Sequence, residues 1–237
     1  MKLKYLAATA FAVLALPTVA QAQDAQKADD DSPPITLSGE LGVVSDYRFR
    51  GVSLSDNDFA VQGGLTLNTE MGFYSSVWAS NIAEYGGAKT EIDVTGGWSG
   101  PVGPLTADVN VVGYFYPSGE GVNYYEVAGS LSKEFGPLGT KVGVAYSPKQ
   151  DNIGGVDNTY VYGEANYAIT GLPVTLNAHV GYEDGVYSGK TDFAVGATVE
   201  YAPFTLGVSY ITVDSDPLDE LGDLAGDKVL FSLKAGF

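Results

Sequence analysis

The chain of 237 residues carries 29 acidic against 12 basic residues, a formal net charge of −17, and no cysteine. A charge of that sign disfavours nucleic acid and anionic surfaces as partners, and the lack of cysteine excludes disulfides and thiolate metal sites. With 31 glycines, 16 tyrosines and few long aliphatic runs, the composition favours many short strands over helices.

The first residues, MKLKYLAATAFAVLALPTVAQA, place Lys2 and Lys4 before an apolar run from Tyr5 to Leu16 and then Ala20-Gln21-Ala22. This pattern predicts a secretory signal peptide over 1–22. The apolar run is shorter than the roughly 20 residues a spanning helix needs. Cleavage after Ala22 would leave 10 basic residues against 29 acidic, a net charge of −19. Residues 23–34, QDAQKADDDSPP, are polar, acidic and end in two prolines, which predicts a disordered periplasmic leader.

From Ile35 onward, short alternating segments separated by turn residues predict twelve strands, at 35–50, 59–68, 73–82, 89–98, 105–116, 123–133, 140–147, 158–168, 174–183, 191–201, 204–213 and 228–237. Their connections alternate in length. The short ones are 69–72, 99–104, 134–139, 169–173 and 202–203, and the long ones are 51–58, 83–88, 117–122, 148–157, 184–190 and 214–227. Four of the short turns hold Gly-Pro or a near variant: Gly103-Pro104, Gly136-Pro137, Gly171-Leu172-Pro173 and Ala202-Pro203. An even strand count with short turns at one end predicts an all-β fold, a transmembrane up-and-down antiparallel β-barrel over 35–237, with short periplasmic turns and longer extracellular loops.

Strand parity then assigns faces, because successive side chains point to opposite sides. Along 89–98, Thr90, Ile92, Val94, Gly96 and Trp98 oppose Glu91, Asp93 and Thr95. The strand at 73–82 is ambiguous, since Tyr74 and Trp78 share parity with Ser76 and Ser80. The stretch Val43–Gly51 holds the only two arginines. Read as a strand, it turns Tyr47 and Phe49 to lipid and Asp46, Arg48 and Arg50 to the lumen near its outer mouth. The chain ends KVLFSLKAGF, with Val229, Phe231, Leu233, Ala235 and Phe237 on one face; this resembles the terminal strand that the outer-membrane assembly machinery recognises.

The sequence also resembles the TorF family, a proteobacterial group of uncharacterised porin-like barrels. The resemblance is carried by Ser45-Asp46-Tyr47-Arg48-Phe49-Arg50-Gly51-Val52-Ser53, Gln62-Gly63-Gly64, Gly72-Phe73-Tyr74, Val77-Trp78-Ala79-Ser80-Asn81 and Glu91-Ile92-Asp93. These blocks lie in the first third of the region after the leader. The resemblance implies an outer-membrane barrel with a pore, and neither a substrate nor catalytic residues.

By parity the lumen receives Glu40, Asp46, Glu91, Asp93, Asp108, Glu126, Glu164, Asp192 and Glu200 against Arg48, Arg50, Lys141, Lys228 and Lys234, a net of −4. The pore-lining candidates are Asp46, Arg48, Arg50, Glu91, Asp93, Asp108, Glu126, Glu164, Asp192 and Glu200. Uncompensated carboxylates would favour cations; the alternative is that the charges pair across the lumen and brace the barrel. Twelve strands leave a bore of roughly 10 Å or less once side chains fill it. Tyr114, Tyr116, Tyr124, Tyr160 and Tyr162 fall inward near the loop end, where they plug space or stack on a planar solute. The single histidine, His179, shares its face with Thr175 and Asn177 but no serine, so no hydrolytic triad is expected. The acids of the last loop, among them Asp214, Asp216, Asp219, Glu220, Asp223 and Asp227, do not match a calcium-loop spacing. The expectation is a channel without cofactor or metal in the outer membrane of a Gram-negative bacterium, passing small polar solutes or ions. Its expected partners are membrane lipid, lipopolysaccharide and, through Phe237, the assembly machinery. The alternative is a plugged structural or surface-binding barrel.

Overall fold

The structure, a computed structural model, describes residues 35–185, 189–214 and 222–237. The expected signal peptide and leader, and part of the last loop, lie outside these. The described strands are β1 (Ile35–Val44), β2 (Arg48–Phe49), β3 (Val52–Ser53), β4 (Ala60–Thr69), β5 (Phe73–Tyr85), β6 (Ala88–Val102), β7 (Leu105–Phe115), β8 (Tyr124–Phe135), β9 (Leu138–Ser147), β10 (Asn158–Ala168), β11 (Val174–Asp184), β12 (Lys190–Tyr201), β13 (Phe204–Asp214) and β14 (Lys228–Gly236). β1 and β4 to β14 form a closed twelve-stranded barrel in which each strand is antiparallel to the next. Closure pairs β1 with β14 in the register Val43↔Leu233. Beyond it, the backbone N–H of Phe237 donates to the Gly39 carbonyl and that of Gly39 donates to the Phe237 carbonyl.

The alternation in sequence becomes an inverted distribution of polarity. Leu37 is 68% exposed and Val142 60% exposed, and both face outward. A soluble protein could not present such a continuous apolar surface without aggregating; a lipid-facing barrel requires it. Outward aromatics collect at both rims. Phe73, Phe135, Tyr167, Tyr201 and Phe204 ring the short-turn end, and Phe115, Tyr125, Tyr146, Tyr182 and Tyr210 ring the other. Such girdles mark the two interfaces of a membrane barrel. In β5 the parity left open by sequence is decided by its neighbours. Phe73 and Val77 point out, while Tyr74, Ser76, Trp78 and Ser80 point in and are partly or fully buried.

Two expected segments fold differently. The predicted long loop 83–88 is a two-residue turn, Gly86-Gly87, because β5 and β6 extend to Tyr85 and Ala88. Both glycines have positive φ, 58° and 97°, as a tight hairpin turn of this kind requires. The predicted first strand, 35–50, ends at Val44. Beyond it, residues 46–55 form an unbroken buried run that turns into the barrel.

Replacing Val142 by Arg puts a charge at mid-membrane depth on the outer face and should cost about 2–4 kcal/mol of stability. Urea titration of the barrel in lipid vesicles measures it; an unchanged midpoint would contradict a lipid-facing surface.

Candidate functional site

The inward loop, residues 45–59, is built around the Asp46 carboxylate. Its Oδ1 accepts the Ser53 hydroxyl at 2.5 Å and the Ser55 hydroxyl at 3.1 Å, and its Oδ2 accepts Arg48 Nε at 2.7 Å. The small β2–β3 hairpin pairs Arg48 with Ser53 and Phe49 with Val52. The Leu54 N–H donates to the Tyr47 carbonyl at 2.7 Å, and the Ala83 N–H, on β5, donates to the Leu54 carbonyl at 2.7 Å. Short side chains that bond to nearby backbone stabilise such compact turns in place of a strand ladder. Arg48 ties this loop to the last one: Nη1 donates to the Gly51 and Gly226 carbonyls, and Nη2 donates to Asn57 Oδ1 and the Asp223 carbonyl.

Folding inward reverses the expected exposure of the aromatics. Tyr47 is 1% exposed and Phe49 3% exposed. Neither faces lipid, because the segment carries no strand pairing with the barrel wall and both of its faces meet lumen side chains. The Tyr47 hydroxyl donates to Glu91 Oε1 at 2.8 Å, and its ring meets Trp78 edge-on at 5.4 Å. Burial, and then the negative charges of Glu91 and Asp93, raise the Tyr47 phenol well above its ordinary pKa, so it acts as a donor.

At the tip, Arg50 reaches the far wall. Its Nη1 donates to Glu183 Oε1 at 2.9 Å, on β11, and its Nη2 donates to both Glu126 oxygens at 3.0 and 2.9 Å, on β8. The guanidinium also lies over the Tyr160 ring at 4.2 Å. Lys190 Nζ bonds the Arg50 carbonyl at 2.6 Å and pairs with Glu183 Oε2 at 2.6 Å. Further donors complete the cage: Ser147 to Glu126 at 3.2 Å and Asn158 to Glu183 at 2.8 Å. Burial alone would depress the guanidinium pKa, but the charges of Glu126 and Glu183 outweigh it and raise the value. Arg50 adopts a positive φ of 44°, a costly backbone conformation for a residue with a side chain and one held only by surrounding contacts. Next to it, Gly51 has φ 85°, and a Cβ there would meet Val213 Cγ2.

Toward the short-turn end the lumen is looser. Lys141 pairs with Glu164 at 3.0 Å, His179 lies 3.6 Å from Glu164 and 3.0 Å from Asp192, and the Tyr160 hydroxyl meets His179 Nε2 at 2.7 Å. Asp108 accepts the Tyr74 hydroxyl at 3.1 Å and Asn110 Nδ2 at 2.8 Å, and Lys234 stands 3.6 Å from Glu40. Inward side chains here, including Ser76, Thr95, Ser130, Asn166 and Thr198, are half-buried rather than sealed.

The structure thus places the sequence candidates in three settings. Asp46, Arg48, Arg50 and Glu126 belong to the buried loop network; Glu164 and Asp192 join Lys141 and His179 below it; Glu91 and Asp93 lie on β6 beneath Tyr47, with Asp108 lower on β7 and Glu200 near the short-turn rim of β12. Sequence reasoning missed Glu183 and Lys190, which complete the Arg50 cage. Both sit at strand ends, where parity is easily dropped; two steps along the face of His179 reach Glu183, and one step back along the face of Asp192 reaches Lys190.

Arg50→Ala leaves Glu126 and Glu183 buried with one cation fewer and should destabilise the barrel by about 3–5 kcal/mol. Chemical denaturation in vesicles reads this, together with new protease cleavage in residues 45–59. A variant as stable and as resistant as the native chain would show that the loop is not held by this contact.

A family model described as "Bacterial protein of unknown function (Gcw_chp)" matches residues 27–237. No curated protein sequence matches the chain. Among solved structures, the KdgM porin superposes with a TM-score of 0.59 at 9% identity, covering 84% of this chain and 98% of its own. The NanC porin gives 0.55 at 13% identity, covering 85% and 99%, and the COG4313 outer membrane channel from Pseudomonas putida F1 gives 0.50 at 9% identity, covering 88% and 98%. At these identities the likeness is one of fold, the closed barrel of outer-membrane porins. The match over residues 27–237, which include every described residue, carries the assignment: this protein belongs to the Gcw_chp family of bacterial proteins of unknown function.

Proposed function

We propose that this protein is a porin-like channel of the bacterial outer membrane, exported by its N-terminal signal peptide and assembled through its terminal strand ending in Phe237. The observation that carries the reading is the lumen itself, a closed barrel with a polar inner face that is half-exposed toward the short-turn end. Taking that end as periplasmic, the barrel opens as a polar vestibule toward the periplasm and narrows where residues 45–59 cross it. Its permeants are small polar solutes or ions, and the resemblance to the TorF family agrees with this.

Charge pairing refines the expected cation preference. Asp46, Glu126, Glu164 and Asp192 have basic partners, and Lys234 stands by Glu40. Glu91, Asp93, Asp108 and Glu200 form no ion pair among the described residues, and these four carry the proposed leaning to cations, since unneutralised carboxylates in a narrow pore concentrate cations.

A second reading, a plugged barrel that braces or decorates the surface, is favoured by the continuous burial of residues 46–55. Planar-bilayer recording separates the two. A channel should show discrete cation-selective openings that grow several-fold in Arg48→Ala/Arg50→Ala, and Asp93→Asn/Asp108→Asn should move the reversal potential toward zero selectivity. Silence in the native chain, with conductance only after the loop is released, supports the plugged reading, and silence in both ends the channel reading.

A further inference from the structure

The wall made by β5, β6 and β7 carries two carboxylates that the loop network leaves without a cation. Cross-strand register sets Glu91 opposite Ser80 and puts Asp93 between Trp78 and Tyr114, with neighbouring Cβ atoms about 5 Å apart. Glu91 is fully buried. The hydroxyls of Tyr47 and Tyr116 both donate to Glu91, yet its Oε2, like Asp93 Oδ1, is sealed from solvent and accepts no hydrogen bond. Elsewhere around the loop each buried carboxylate has a cation: Asp46 has Arg48, Glu126 has Arg50, and Glu183 has Arg50 and Lys190. An acceptor oxygen buried with neither donor nor cation is costly, so the pair at β6 calls for a partner that the described chain does not supply.

The walls define what that partner is. Tyr47 and Trp78 meet edge-on at 5.4 Å, and Tyr85 and Tyr116 meet edge-on at 5.1 Å. A hard metal ion needs six or more oxygen ligands or ordered waters, and no group of three His, Cys, Asp or Glu among the described residues is placed to hold one. A primary ammonium group fits both features. Its three N–H donors match the unused oxygens, and its positive charge and alkyl stem suit aromatic faces.

We propose that Glu91 and Asp93, walled by Trp78, Tyr47 and Tyr114, bind the primary ammonium group of an amine solute entering from the open half of the lumen. Asp93, half-buried and one step nearer the short-turn end than Glu91 along the same face of β6, is the first contact, and Glu91 beneath the Tyr47 hydroxyl is the inner one. The inference deepens the cation-leaning reading and names its solute class, but it concerns binding and stands or falls without conduction.

The chain has two tryptophans, and Trp98 lies on the outer face, bonded to the Met71 carbonyl. Trp98→Phe therefore leaves Trp78 as the sole tryptophan, read selectively by exciting beyond the tyrosine absorption band. Titrating this folded barrel with n-butylammonium chloride, sodium chloride holding ionic strength constant, should give a saturable change in Trp78 emission. Tetramethylammonium, which has no N–H, should bind more weakly, and Asp93→Asn or Glu91→Gln should weaken butylammonium about tenfold or more. A non-saturating response, an equal response to tetramethylammonium, or unchanged affinity in both variants overturns the site. If neither variant folds, infrared spectroscopy of the Trp98→Phe barrel decides. A protonated-carboxyl band at neutral pH that butylammonium leaves untouched shows that the two acids share a proton, and overturns the site; carboxylate bands that shift with butylammonium support it. A barrel that binds butylammonium without conducting ends the channel reading and leaves this one intact.

Discussion

A guanidinium taken out of water has to be surrounded, and the disposition of this barrel's outer half follows from how Arg50 is surrounded. Its two terminal nitrogens divide between Glu126 on β8 and Glu183 on β11, strands separated in the barrel by β9 and β10. The guanidinium can make both contacts only if the loop after β1 crosses the lumen to the opposite wall. Lys190 then neutralises the second acid and holds the Arg50 carbonyl at the same time. The contact tolerates a positive φ at Arg50, because the forked, always-charged side chain has no comparable alternative site. Such a buried network, once any member is removed, leaves an uncompensated charge, which makes the loop an integral part of the barrel.

Around that contact the lumen divides in two. On the long-loop side, loop residues 46–55 and the inward tyrosines Tyr114, Tyr116, Tyr124 and Tyr160 are buried against one another, with Tyr114 and Tyr124 stacked at 4.5 Å. On the short-turn side, hydroxyls, amides and the Lys141–Glu164 pair remain accessible. The β6 carboxylates lie at the boundary, under Tyr47.

The alternation of polar and apolar residues was enough to read the barrel. With side chains repeating every two residues, the face of nearly every inward charge followed once a strand was recognised, and β10 was legible to the residue. The turn between β5 and β6 was misjudged because the register shifts between Asn81 and Tyr85, so β5 runs on to Gly86-Gly87 through a pairing irregularity that strict alternation does not reveal. Glu183 and Lys190 were passed over because strand ends carry the weakest pattern. Tyr47 and Phe49 were misassigned for a deeper reason: the alternation Asp46-Tyr47-Arg48-Phe49-Arg50 is a real period of two, but a period says which residues share a face and nothing about what either face meets.

The sequence by itself determined a twelve-stranded barrel with apolar residues outside and charged residues inside, since both follow from local periodicity and turn chemistry. Only the tertiary structure decided that the first loop fills the outer lumen, that Arg50 is shared by two acids 76 and 133 residues away, and that Glu91 and Asp93 have no cation beside them among the described residues. Those outcomes depend on which walls closure of the sheet brings opposite one another, and closure depends on pairing between β1 and β14, the two ends of the barrel chain.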